Sequence, residues 1–336
     1  MTEQLIDAYD AVGFDLDGVV YRGPYAVPGA AAVVAELRRQ EVKVGFVTNN
    51  AQRPPQTVAD HLERLGIACR LEDVVTSAQA TARLMADQLP AGAEVLIVGS
   101  AALADEVAQV GLSPVSERSP ATAAIVIGYD PEQRWADFNE AAYAVQAGAR
   151  YFACNDDQTR PTEFGIAVGM GGMLAAMTRA LPGLEPTMGG KPARALLDET
   201  ALRFDAQRMI FVGDRLDTDI EGAVRADLDS LFVFSGSHGK SDLAQAGPNW
   251  RPTWIGADLA ALLAPPRRAE SDQDQSRCGQ SQARLRQGRL SLDQIPSQLE
   301  GQLDALWAIL QLVWAERDAG RPLEVAAVLA SLDLVP

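Results

Sequence analysis

Phe14-Asp15-Leu16-Asp17-Gly18-Val19 follows a short apolar run at residues 10–14. An apolar strand that ends in two aspartates and a glycine decides how the chain is read. Alternate residues on a strand face the same way, so Asp15 and Asp17 can reach one pocket. Open α/β sheets bind ligands at the carboxyl ends of their strands, which is where this pair falls. Taken by itself, D-x-D-G also fits an ordinary turn, because Asp and Gly are turn residues.

Outward from this strand the pattern alternates. Residues 28–40 read as a helix with Ala30, Val33, Val34 and Leu37 on one face, and 42–47 as a strand ending at Thr48. A helix at 54–66 opens on a proline pair and closes at Gly66, and a short strand follows at 73–76. Alternating strands and helices argue a parallel sheet covered on both faces. The pattern then restarts, with strands at 94–98, 123–128 and 151–154 and a helix near 135–147. After about Thr187 the first pattern returns: helix 192–203, strand 208–212, helix 218–226, strand 230–234. The expected architecture is a doubly wound, Rossmann-like α/β core (1–78 and 188–264) interrupted by an inserted α/β domain (79–187). The polar segment 265–290 reads as a linker by composition. The tail 291–336 reads as a helical appendage with an apolar stripe at Leu299, Leu303, Leu306, Leu310, Val313 and Trp314. Such a stripe must be covered by the core, by a second copy in a homodimer, or at the mouth of the site.

Three further stretches carry chemistry. Gly213-Asp214-Arg215-Leu216-Asp217-Thr218-Asp219-Ile220 places three aspartates after another apolar strand. Such crowding suits a bound cation, and magnesium prefers a few carboxylates with waters and phosphate oxygens. Thr48-Asn49-Asn50 offers a hydroxyl, two amides and backbone N–H groups at a third strand end. Gly190-Lys191-Pro192 offers a lysine before a helix. Each alone also fits a commonplace role: an acidic helix start, a helix cap, a surface lysine. Together they supply what phosphoryl transfer needs: nucleophile, oxygen donors, cation and metal ligands.

The bulk properties narrow the partners. The 336 residues suggest about two domains, and 47% apolar residues suffice for a sizeable core. A net charge of −16 argues against nucleic acid and anionic membranes. Cys69, Cys154 and Cys278 are far apart, which fits neither a disulfide framework nor a zinc site. No basic-then-apolar leader opens the chain and no apolar stretch approaches a membrane span, so a cytoplasmic protein is expected.

FDLDGV, VTNN, GKP and GDRLDTDI together resemble the haloacid dehalogenase-like superfamily over about residues 5–264. Within it they are similar to the phosphatases with a large α/β cap between the second and third motifs. That group includes the NagD-type nucleotide and sugar phosphatases and the phosphoglycolate and glycerol-3-phosphate phosphatases. The whole chain, with its C-terminal segment, most resembles the actinobacterial glycerol-3-phosphate phosphatases. The resemblance implies Asp15 as nucleophile and Asp17 as general acid and base. It implies Mg2+ held by Asp15, Asp214 and the Asp17 carbonyl, with Asp219 as an outer ligand. Thr48, Asn49 and Lys191 would bind the phosphoryl group, with Asn50 nearby. In the cap, Asn155 and Asp157 of Asn155-Asp156-Asp157 would face the substrate, and Gly165, Gly169, Gly171 and Gly172 match a glycine-rich segment loosely. His61 and His238 sit in no motif. The expected reaction is hydrolysis of a small phosphomonoester, glycerol 3-phosphate first, then 2-phosphoglycolate or a nucleotide monophosphate. The readings of another class are a phosphate-switched signalling module and a metabolite binder without turnover.

Overall fold

The computed structural model describes residues 3–162 and 164–336, and these form two compact units. One comprises residues 1–44 and 206–336, the other residues 45–205.

In the first unit four parallel strands lie in the order Trp254–Gly256, Asp229–Val233, Met209–Gly213, Ala11–Asp15. The inner strands are near-continuous apolar runs, as strands covered on both faces must be. Ala11 pairs with Met209 and Phe14 with Val212, so the two halves of this sheet meet across everything inserted between them. Asp15 and Asp214 thereby stand at the carboxyl ends of adjacent strands.

The expected linker at 265–290 is instead a folded sheet. Ala269–Ser271, Gln275–Cys278, Ser281–Arg286 and Arg289–Leu292 form a four-stranded antiparallel meander. Its buried positions are small residues, Ser276, Cys278, Ser281 and Ala283, alternating with the long polar side chains of Gln275, Arg277, Gln282 and Arg284, which are exposed or partly so. A composition reading counts the charges and misses this period of two. Gln287 and Gly288, at φ 50° and 73°, make the last two-residue turn, whose twist requires positive φ. The helix Leu299–Asp318 lies on the sheet, and its other side packs against Phe232, Phe234, Leu243 and Ile255 of the same unit. Trp314 Nε1 donates to the Leu243 carbonyl at 2.8 Å, and Arg251 makes a bidentate pair with Asp318 at 2.6 and 2.7 Å. The apolar stripe of the tail is therefore covered by its own unit.

The second unit is built on a five-stranded parallel sheet, ordered Thr187–Met188, Arg150–Ala153, Thr122–Ile127, Glu94–Val98, Ser113–Val115. Alternate residues feed two cores. Leu96, Val98, Ile125 and Ile127 meet Phe138, Ala141, Leu174 and Met177 on one face. Val95, Ala124, Val126 and Phe152 meet Ala82, Met85, Leu103 and Val107 on the other. Because the helix Ser77–Ala86 is part of the second core, the compact unit begins before residue 79. The unit also holds the parallel pairing of Phe46–Thr48 with Val74–Thr76, and an antiparallel pair of Thr159–Thr162 with Gly165–Val168 that the sequence pattern does not foretell.

Candidate active site

In the first unit, one carboxylate oxygen from each of Asp15, Asp214 and Asp219 lies within 4.8 Å of the other two. Asp214 and Asp219 are fully buried. Two unit charges about 4 Å apart repel by about 4 kcal/mol at the effective dielectric of a protein site, so three such groups call for a cation. The fold holds them in place nevertheless. Asp219 Oδ2 accepts the N–H groups of Asp214 at 3.2 Å and Arg215 at 3.1 Å, and Asp214 Oδ2 accepts Ser237 N–H at 2.6 Å. A Cβ on Gly236 would stand 1.9 Å from Asp214 Oδ2, and one on Gly18, already at φ +95°, would stand 2.7 Å from it. Those glycines are where the backbone presses on the carboxylate. An all-oxygen, multiply charged donor set of this kind fits magnesium. Asp217, the third aspartate of its stretch, turns away to pair with Arg215 at 2.8 Å. Asp17, two residues beyond Asp15, is exposed.

In the second unit Asn49, Lys191, Asn155 and Asp157 converge, and Thr48 Oγ1 beside them in sequence accepts Asn50 N–H at 3.1 Å. Asn49 Nδ2 donates to Asp157 Oδ1 at 3.1 Å and to the Lys191 carbonyl at 3.0 Å, while Asn49 Oδ1 accepts Lys191 N–H at 2.8 Å. The Asn49 carbonyl accepts Ser77 Oγ at 2.6 Å and Asn155 Nδ2 at 2.8 Å. Both amide hydrogens of Asn49 are thus committed within the protein. The side chain thereby fixes the backbone that carries Lys191. Lys191 itself is 2% exposed. Gly189 and Gly190 let the segment before it run close to its neighbours, since a Cβ on Gly189 would lie 1.9 Å from Thr81 Oγ1 and one on Gly190 2.3 Å from the Cys154 carbonyl. Asn50 is exposed, and its Oδ1 accepts Gln52 N–H at 2.8 Å, a turn role. Burial pushes the neighbouring Cys154 thiol up to about 12, so it is an inert core group.

The glycine-rich segment serves the loop Asn155–Gln158. Gly171 N–H donates to the Asp157 carbonyl at 3.0 Å, and Cβ atoms at Gly169 and Gly171 would strike the backbone of Asp157 and Asp156 at 2.0 and 2.6 Å. These glycines seat the helix Met170–Ala180 against that loop. The sequence motifs do not include Ser235, Gly236 and Ser237, although a glycine between two hydroxyl residues directly after an apolar strand is a signal of close approach.

Carboxylates gathered at the strand ends of an open parallel sheet are the arrangement of a phosphoryl-transfer enzyme of the doubly wound class. The chain belongs to the haloacid dehalogenase-like hydrolase family. Residues 12–113 match the profile described as haloacid dehalogenase-like hydrolase, and residues 188–262 match the HAD-hydrolase-like profile. A D-glycerol 3-phosphate phosphatase from Mycobacterium tuberculosis is 46% identical over 260 residues, covering 77% of this chain and 72% of that protein. An acid sugar phosphatase from Staphylococcus saprophyticus is 31% identical over 257 residues, covering 76% and 97%. Among solved structures, a glycerol phosphate phosphatase from Mycobacterium tuberculosis in complex with calcium superposes with a TM-score of 0.86 at 39% identity over 98% of both chains. Its complex with magnesium gives 0.85 at 38% identity over 99% of this chain and 98% of that one.

Proposed function

We propose that this protein is a Mg2+-dependent phosphomonoester hydrolase that acts through a phospho-aspartyl intermediate on Asp15, with glycerol 3-phosphate as substrate and glycerol and phosphate as products. The observation that carries it is the convergence of Asp15 with buried Asp214 and Asp219. Those three side chains, with the Asp17 carbonyl, would hold the metal, Asp219 from the outer shell. Bound there, magnesium would neutralise the carboxylates and the phosphoryl oxygens.

The residues then divide the work. An Asp15 oxygen attacks phosphorus and the bond to the leaving oxygen breaks. Asp17, in its acid form, gives that oxygen its proton, so the alcohol leaves neutral. Asp17, now a carboxylate, takes a proton from water as the water attacks the phospho-aspartate, and Asp15 is regenerated. Thr48 and Lys191 take phosphoryl oxygens, and Asn49 acts by holding Lys191. Residues 79–187 serve as the cap, and Asn155 and Asp157 select the substrate; the bond from Asn49 to Asp157 links that choice to the phosphate-binding group.

The similarity to a D-glycerol 3-phosphate phosphatase favours glycerol 3-phosphate over 2-phosphoglycolate and nucleotide monophosphates. No described helix is long and apolar enough to cross a membrane, and a cytoplasmic site of action fits the reading. The homodimer expected from the tail has lost its motive, because that stripe is covered within its own unit. The test is phosphate release over a panel of small phosphomonoesters with magnesium, in wild type and Asp15→Asn. Glycerol 3-phosphate should give the highest kcat/KM. Stoichiometric phosphorylation without turnover would make the protein a switch instead.

A further inference from the structure

The loop after strand Asp229–Val233 binds both buried carboxylate segments and the nucleophile's turn. Ser235 Oγ donates to the Gly18 carbonyl at 2.8 Å, and Ser237 N–H donates to Asp214 Oδ2 at 2.6 Å. His238 N–H donates to the Asp214 carbonyl at 3.3 Å. The fourth tie is a side chain: Leu216 N–H donates to His238 Nδ1 at 2.9 Å. Leu216 opens the single turn Leu216–Ile220, and the first N–H groups of a helical turn have no partner inside it. Arg215, in the capping position, makes no side-chain cap bond. The imidazole supplies that cap from another part of the chain. The same turn carries Asp219, and Asp214 lies two residues before it.

We infer that His238 is a positioning residue for the metal-binding carboxylates. Its Nδ1 fixes the start of the Leu216 turn, so that Asp214 and Asp219 converge on Asp15 against their mutual repulsion. The inference rests on the magnesium site proposed above. Groups that orient metal ligands are commonly worth about 10–100-fold in metal affinity. His238 takes no part in proton transfer and touches no substrate in this assignment.

The test is calorimetric titration of the full-length protein with magnesium chloride, in wild type, His238→Ala, His238→Asn and His238→Leu. Asn places an acceptor oxygen as many bonds from the backbone as Nδ1, and Leu fills the space with none. The Kd for magnesium should rise about 10-fold or more in the Ala and Leu variants and return to within about threefold of wild type in Asn. At saturating magnesium the KM for glycerol 3-phosphate should stay within about twofold. Thermal melts without metal separate folding from binding, and if Ala does not fold, the Asn and Leu pair carries the comparison. Wild type that binds while Ala and Leu bind equally well overturns the inference alone. Wild type that binds no magnesium removes the metal site and the inference with it.

Discussion

Gly236→Ala is the sharpest probe of the carboxylate cluster. A Cβ at this position would lie 1.9 Å from Asp214 Oδ2, 2.2 Å from its Cγ and 2.4 Å from its Cβ, whereas real Cβ contacts essentially never fall under 3.0 Å. Gly236 has no positive φ, so the cost is contact and not backbone strain. Asp214 is fully buried and bonded to Ser237 N–H, so it cannot swing into solvent. Its carboxylate, or the loop, must shift by about 1 Å, twice the roughly 0.5 Å within which a catalytic constellation has to be held. A misplacement of about 1 Å commonly costs about 10²-fold, or about 2.7 kcal/mol of transition-state stabilisation. Phosphate release from glycerol 3-phosphate, measured across a magnesium series, should show that loss in kcat/KM. Gly247→Ala is the control, since its Cβ would meet nothing within 4 Å. If Gly236→Ala folds and keeps kcat/KM within about threefold of wild type, the close packing on Asp214 is not what holds the site.

Asp15→Asn should form no phospho-enzyme, whereas Asp17→Asn should turn over about 10²–10⁴-fold more slowly and accumulate phospho-enzyme with a good leaving group, as read by rapid quench. Excess chelator should abolish activity and added magnesium restore it, with calcium inhibiting because its larger, looser shell misplaces the nucleophile; full activity in chelator would end the metal reading. Asp157→Ala should lower kcat/KM on glycerol 3-phosphate more than on an aryl phosphate, because a natural substrate uses remote contacts for orientation. Equal losses on both would remove Asp157 from substrate selection. Trp314→Ala, which empties a buried indole and frees the Leu243 carbonyl, should lower unfolding stability by about 3–5 kcal/mol in urea melts while sparing the chemistry of the folded fraction.

Much of this protein is written locally in its chain. An apolar strand followed by Asp15 or Asp214, a period-two run ending at Thr48, and the restart of the pattern near residue 94 are all features of neighbouring residues. They were enough to foresee a parallel α/β core, its interruption and the strand that ends at Asp15. What the sequence could not disclose depends on which groups meet across distant stretches. Local pattern alone does not separate Asp214 and Asp219, which meet Asp15, from Asp217, which pairs with Arg215; only the family resemblance singled the first two out. Asn49 turns its amide to Lys191, 142 residues away, and His238 caps Leu216 from a loop without a motif. The 269–292 sheet hides its period because its inward residues are small, and they are small because the helix Leu299–Asp318 lies against them. Local patterning sets which elements form, but only close packing determines which polar atoms are left facing one another, and the chemistry follows from those.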